Sequence, residues 1–168
     1  MKISTRQLAL CAVLTALALG LSTLENLFPV TLVIPLPGVK LGLANIVTVF
    51  ALYQLGPLPA LCILAARCLL GSLFAGNASA LLFSLLGGTL AMLVMLALSR
   101  LRGLSVYGVS IGGAAAHNIG QMAAALITLG NTAVLGYLPF LLVVSLFTGA
   151  LTGFVSALLL RAISHVKL

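Results

Sequence analysis

The chain contains a single carboxylate side chain, Glu25, and no aspartate among its 168 residues. Magnesium-diphosphate chemistry, paired carboxylates for acid and base catalysis, and serine-histidine-aspartate triads all need acids that this chain lacks. It also has no GxxxxGK[ST] loop to bind ATP phosphates. We therefore expect no catalytic residues, and a binding or transport component rather than an enzyme.

Several other polar side chains lie inside strongly apolar stretches, where ionisable groups are costly and tend to mark sites. Arg67 falls near the middle of one such stretch. His117 and Gln121 are four residues apart, and Ser110 and Thr128 lie seven residues to either side, so the four should share one helical face. Alternatively, His117 and Gln121 have a structural role and form hydrogen bonds with neighbouring helices.

The depths of these groups can be estimated from a helical rise of about 1.5 Å per residue. The estimate places Glu25, Asn45 and His117 in the same half of the molecule, the half that faces outward if both termini are cytoplasmic. This common depth predicts a polar pocket in the outer half. The candidate substrate-binding residues are Glu25, Lys40, Asn45, Arg67, His117, Asn118 and Gln121.

Arg67 admits three interpretations. Glu25 is the counter-ion by residue type, but the depth estimate separates the two by roughly 15 Å, near the limit of two extended side chains. The guanidinium could instead bind carbonyl groups at a helix end, or an anionic group on a ligand.

The elements that must position these residues are membrane helices. Mean hydropathy is +1.33 and only 5% of residues are charged, against about a quarter in soluble domains. At roughly 20 residues per span, the chain has room for about six helices in one all-α bundle with no separate soluble domain. The expected spans are 6–27, 41–56, 58–76, 79–99, 104–129 and 134–160, with a proline-rich outer cap at 28–40.

The basic residues predict the topology of this bundle. Six of the eight Lys and Arg residues fall near the two termini or between spans four and five, which an even number of spans places on one side. By the positive-inside rule that side is cytoplasmic, so both termini should be cytoplasmic and the protein should lie in the cell membrane. The basic, apolar N-terminal stretch also resembles a signal peptide, but the span count needs it as a helix.

Small residues at four-residue spacing predict close helix contacts. Spans four, five and six each carry such a stripe, which we interpret as internal seams: Ala80, Ser84 and Gly88; Gly108, Gly112, Ala116, Gly120 and Ala124; Ser145, Gly149, Gly153 and Ala157. In span one the row Ala12, Ala16 and Gly20 is either another seam or a docking surface for a second membrane protein. The three cysteines have no metal-binding spacing, so we expect buried reduced thiols and no metal.

Three motifs carry a family resemblance: Pro37-Gly-Val-Lys-Leu-Gly-Leu-Ala-Asn45, Ala66-Arg67-Cys-Leu-Leu-Gly71 and Ala116-His-Asn-Ile-Gly-Gln121. They resemble the Gx transporter family, also labelled heptaprenyl diphosphate synthase component I. That family is similar to the substrate-binding S components of energy-coupling factor (ECF) transporters, which implies six helices, cytoplasmic termini and an outward-facing pocket. In S components a row of small residues on the first helix docks on a coupling protein, and Ala12 and Ala16 match that pattern.

The resemblance implies a membrane component that captures a small hydrophobic or amphipathic molecule and works in the lipid membrane with a coupling subunit and ATPases. Two alternatives stay open: a membrane subunit of a flavin- or quinone-linked electron-transfer system, and a non-catalytic partner in polyprenyl diphosphate synthesis. The ligand could be vitamin-, flavin- or isoprenoid-like. We expect no cofactor and no nucleic-acid partner.

Overall fold

The computed structural model describes residues 5–27 and 42–163, and these residues form helices joined by short turns. Helices suit apolar sequences because they satisfy every backbone polar group within the segment. The six helices are α1 (Thr5–Leu27), α2 (Asn45–Gln54), α3 (Pro57–Ala75), α4 (Ala78–Ser99), α5 (Val106–Leu129) and α6 (Leu138–Ile163), with a 3-10 helix at Thr132–Tyr137 before α6. No strand occurs among the described residues.

Proline, glycine and asparagine set the helix boundaries. Pro57 occupies the first turn of α3, and Gly76 ends that helix in the left-handed conformation with φ 59°. The side chain of Asn77 then caps α4 by accepting a hydrogen bond from the backbone N–H of Ser79. These signals are visible in the sequence, which explains why α1, α3, α4 and α5 lie within two residues of their expected bounds.

Four described helical segments are long and apolar enough to cross a membrane: Thr5–Glu25, Pro57–Ala75, Ala78–Ser99 and Thr132–Ile163. The protein is therefore an all-helical membrane protein, but the remaining two of the six expected spans are not of this kind. α2 has ten residues, about 15 Å of helix against a hydrocarbon core of about 30 Å. α5 is long, but His117, Asn118 and Gln121 lower its hydropathy.

α2 lies at the centre of the bundle. Residues 45–52 are all buried, and the helix contacts each of the other five. Those five pack around it in the order α1, α3, α4, α5, α6. The first turn of α2 therefore faces side chains from several helices at once.

Glycines bring the outer helices into close contact, as the stripes on spans four to six predicted. A Cβ atom on Gly120 of α5 would lie 2.5 Å from the carbonyl oxygen of Leu86 on α4. A Cβ atom on Gly149 of α6 would lie 2.5 Å from Cα of Ile111 on α5. Since both contacts are with backbone, α5 can approach its two neighbours this closely only where these positions lack a side chain.

Candidate functional site

A cluster of polar side chains is buried where α1, α2, α3 and α5 meet. Its members are no more than 8% exposed. They are Glu25, Asn45, Arg67, His117 and Gln121, and we call them the polar cluster. Five of the seven candidate binding residues thus lie together in one part of the bundle, where Gly42 and side-chain hydrogen bonds connect them.

Gly42 links three members of the polar cluster. Its backbone N–H donates a hydrogen bond to Oε1 of Glu25. Its φ of +86° favours glycine, and a Cβ there would lie 3.0 Å from Nδ2 of Asn45 and 3.4 Å from Cδ2 of His117. A side chain at this position would collide with the site, so Gly42 allows α1, α2 and α5 to meet.

Arg67 lies against the first turn of α2. Its Nη2 donates a hydrogen bond of 3.3 Å to Oδ1 of Asn45, and its Nε has no hydrogen-bond partner. Gly88 of α4 lies beside this group, since a Cβ there would lie 2.6 Å from Cδ1 of Leu64 and 3.4 Å from Nη2 of Arg67. Of the three interpretations of Arg67, a direct ion pair with Glu25 is not what the described contacts show: Arg67 donates to the Asn45 amide, and Glu25 accepts from the Gly42 N–H.

His117 and Gln121 form a hydrogen-bonded pair one helical turn apart on α5. The distance from Nε2 of Gln121 to Nε2 of His117 is 3.1 Å. The pair is a hydrogen bond between the Gln121 amide and the Nε2 of the imidazole ring, with donor and acceptor set by the ring tautomer. Gly87 of α4 closes over the pair, since its Cβ would lie 3.0 Å from the imidazole ring and 3.1 Å from Cγ of Gln121.

Asn118 turns away from the polar cluster. Its Nδ2 donates a 2.8 Å hydrogen bond to the carbonyl oxygen of Leu141 on α6. Adjacent helical residues point about 100° apart, so Asn118 and His117 reach different neighbours. Lys40 and the expected cap at 28–40 lie outside the described residues.

The expected polar face of α5 is divided among different partners. Ser110 shares a 2.7 Å hydrogen bond with Thr152 of α6. Thr128 bonds to the carbonyl oxygens of Ala124 and Ala125 in its own helix. Of the four, only His117 and Gln121 belong to the polar cluster, so residues that share one face of α5 have different neighbours.

Sequence reasoning missed Gly42, Gly87 and Thr48. A pair of adjacent glycines in an apolar helix, as at Gly87 and Gly88, costs about 1 kcal/mol per residue relative to alanine and is a readable signal of close approach. Thr48, one turn after Asn45, is 1% exposed and its hydroxyl has no hydrogen-bond partner. Nothing in its sequence context distinguishes it from packing residues.

The row of small residues on α1 is not an internal seam. Ala12, Ala16 and Gly20 are exposed, and a Cβ on Gly20 would meet nothing within 4 Å. Two of them border an apolar groove of about 400 Å³ between α1 and α3. The groove is lined by Leu8, Cys11, Ala12, Thr15, Ala16, Leu19, Cys62, Ile63, Ala66 and Leu70.

The cysteines differ from the expectation of three buried thiols. Cys68 is buried, Cys11 is half-buried and Cys62 is exposed on the groove between α1 and α3. All three are free thiols, and the described residues contain no group of three or more metal-binding side chains. The wrong assignment has a simple cause, since hydropathy does not tell a lipid-facing position from a core position.

The family model described as heptaprenyl diphosphate synthase component I matches residues 14–159. The chain belongs to this family. The matched region holds the whole polar cluster, Gly42, Gly87 and Ala16, whereas Ala12 lies just before it. No curated protein and no solved structure matches the chain.

Proposed function

We propose that this member of the heptaprenyl diphosphate synthase component I family is the substrate-binding membrane component of an ECF-type transporter. The observation that carries the proposal is the polar cluster. Five buried polar side chains from α1, α2, α3 and α5 converge inside a bundle whose other buried residues are mostly apolar. Placing polar groups there is costly, which favours a functional reason for keeping them together.

The chemistry of the polar cluster suits recognition rather than catalysis. It offers N–H donors from Arg67, Asn45 and Gln121, a ring nitrogen from His117, and one carboxylate. Such groups fix the orientation of a polar head, while the surrounding bundle can accommodate apolar parts of the same molecule. A small amphipathic ligand, vitamin-, flavin- or isoprenoid-like, fits this combination, and a non-catalytic role follows from the absence of aspartate.

The proposed topology places this cluster toward the outside of the cell membrane. Arg6 begins α1, Arg100 and Arg102 lie between α4 and α5, and Arg161 lies in the last turn of α6. The positive-inside rule then puts both termini in the cytoplasm, with the chain passing the membrane several times. The first turn of α2 and the end of α1 face the opposite side, where an external ligand would enter.

The family description names a component, which implies other subunits. A transporter of this kind needs an ATPase, and this chain has no ATP-binding loop. The exposed row Ala12, Ala16 and Gly20 supplies a surface on which another membrane helix could approach closely. We infer that a transmembrane coupling subunit docks on α1 and connects the chain to ATPase subunits.

Affinity purification from native membranes in mild detergent tests this assembly. The expected result is co-purification of a membrane subunit together with ATPases. Ala16→Leu should lose both, because a bulky side chain prevents close helix approach. Ala150→Leu is the matched control, since Ala150 is an exposed alanine on α6 and should leave the assembly unchanged.

Two results of this purification would contradict the proposal. Retention of the coupling subunit and ATPases by Ala16→Leu would remove the docking surface. Absence of any ATPase from the wild-type preparation would remove the transporter assignment itself.

A second candidate function rests on the family description. A non-catalytic component of a heptaprenyl diphosphate synthase would bind a soluble catalytic subunit. The same purification distinguishes the two, since a prenyl synthase in place of ATPases would favour this second function.

A further inference from the structure

Arg67 is held in an unusual way for a buried cation. It lies in the middle of α3 and is 8% exposed. Among the described residues its hydrogen-bond partner is the neutral amide of Asn45, whose Oδ1 accepts a bond of 3.3 Å from Nη2. Its Nε has no hydrogen-bond partner.

A guanidinium has five N–H donors in a planar fork that matches the two oxygens of a carboxylate or phosphate. Burying such a cation is costly unless an anion and further hydrogen bonds compensate for lost water. A 3.3 Å contact with a neutral oxygen is weak compensation. The positive charge is therefore positioned for an additional acceptor.

A second buried donor lies on α2, three residues after Asn45. The hydroxyl of Thr48 has no hydrogen-bond partner although the residue is 1% exposed. Thr48 follows Asn45, the partner of Arg67, by three residues and so lies one turn farther along the same helix. In the described part of the chain, the Arg67 Nε and the Thr48 hydroxyl are thus two buried polar groups with no hydrogen-bond partner, and they belong to residues on either side of Asn45 in this set of contacts: Arg67 bonds to Asn45, and Thr48 follows it by one turn.

We propose that the ligand of this site carries an oxyanion, a carboxylate or phosphate, that binds the guanidinium of Arg67. This inference rests on the proposed function and specifies its ligand class as an amphipathic anion. The anion accepts hydrogen bonds from the Nε side of the fork, which Asn45 leaves available. The apolar part of the ligand then lies against the surrounding helices.

Thermal unfolding of the purified full chain in detergent provides the test. In a Cys11→Ser, Cys62→Ser background, which removes the two thiols that are at least partly accessible, a thiol-reactive fluorophore reports unfolding through Cys68, which is 2% exposed. The probes are inorganic phosphate, pyrophosphate and acetate, each compared with chloride at constant ionic strength. We expect at least one of them to raise Tm saturably, by about 3 to 6 °C at tenfold excess over its dissociation constant.

Variants assign this rise to Arg67. Arg67→Met, neutral and of similar length, should abolish it. Arg67→Lys keeps the charge but loses the planar fork, and should weaken the apparent affinity about tenfold. Arg100→Met is the matched control because Arg100 is exposed at the end of α4, and it should respond as the wild type does.

The proposal is overturned if no anion gives a saturable rise in the wild type, or if Arg67→Met responds as strongly as the wild type. Should Arg67→Met fail to fold, Arg67→Lys decides, and an unchanged affinity in that variant overturns the proposal equally. Assembly with ATPases does not enter this measurement. A failed transporter assignment and a failed anion site are therefore distinguishable.

The oxyanion could belong to a free ligand or to a lipid head group. Repeating the titration in nanodiscs of phosphatidylcholine, with and without phosphatidylglycerol, separates these sources. Loss of the phosphate-induced rise only when phosphatidylglycerol is present, in an Arg67-dependent manner, identifies a lipid phosphate as the bound group. A rise that is the same in both membranes identifies a free ligand.

Discussion

The substitution Gly120→Ala tests whether close approach of α4 and α5 builds the site. The new Cβ would lie 2.5 Å from the carbonyl oxygen of Leu86 and 2.7 Å from Cα of Gly87. Ordinary contacts of this kind are about 3.5 to 4 Å, so α4 must move outward by about 1 Å. Gly87 belongs to the moved segment, and it is the residue that packs on the imidazole ring of His117.

The magnitude follows from two opposing terms. Overpacking of a core costs typically 1 to 3 kcal/mol, and a clash with backbone belongs at the upper end, about 3 kcal/mol. Replacing a helical glycine with alanine returns about 1 kcal/mol of helix propensity. Gly120→Ala should therefore destabilise the protein by about 2 kcal/mol, which lowers Tm by roughly 4 to 8 °C for a chain of this size.

Gly112→Ala is the matched control, eight residues earlier on the same helix. Its Cβ would lie 2.3 Å from Cδ1 of Leu98, the far end of a flexible side chain that can rotate away. The propensity gain then offsets most of the cost, and Tm should change by less than about 2 °C. Thermal unfolding followed through Cys68 measures both variants, and equal Tm values for the two would refute the close backbone contact between α4 and α5.

Three further predictions address the site, the packing and the topology. His117→Leu should weaken ligand binding by about 1 to 3 kcal/mol in a binding titration, the cost of a lost buried hydrogen bond, whereas Asn118→Leu should lower Tm and leave binding unchanged. Ser110→Ala should cost about 0.5 to 1.5 kcal/mol in unfolding experiments by removing its hydrogen bond to Thr152, whose hydroxyl keeps its bond to the Gly149 carbonyl, and Thr152→Val should cost less when added to Ser110→Ala than it costs alone. A reporter fused after Leu168 should be active only in the cytoplasm, and external activity would reverse the proposed topology.

The sequence alone predicted most of the helical framework because its boundaries are local. Pro57, Gly76 and Asn77 act on the backbone of their own turn, whatever the rest of the chain does. Counting helical rise also placed Asn45 and His117 at a common depth, and the structure brings them together through Gly42. The depth of a residue along a helix axis can be estimated from residue counts alone, without knowing how the helices pack.

Rotation about each helix axis could not be predicted in the same way. Asn118 and His117 are adjacent and equally buried, yet one bonds to α6 and the other packs against α4. Spacing gives the angle between two side chains but not which neighbour lies at that angle. The row on α1 remained undecided for the same reason, because small residues suit both an internal seam and an exposed docking face.

In this bundle the single carboxylate, Glu25, and the buried guanidinium of Arg67 have different hydrogen-bond partners. A direct ion pair between Glu25 and Arg67 would satisfy both groups and leave little for a ligand to bind. Instead the carboxylate accepts a hydrogen bond from the Gly42 N–H and the guanidinium donates one to the Asn45 amide, so each charged group has a neutral hydrogen-bond partner. Donors held in position before binding need no rearrangement when the ligand arrives, which favours affinity. Retaining a buried cation beside a neutral hydrogen-bond partner is the arrangement that the proposed binding of an anion would need.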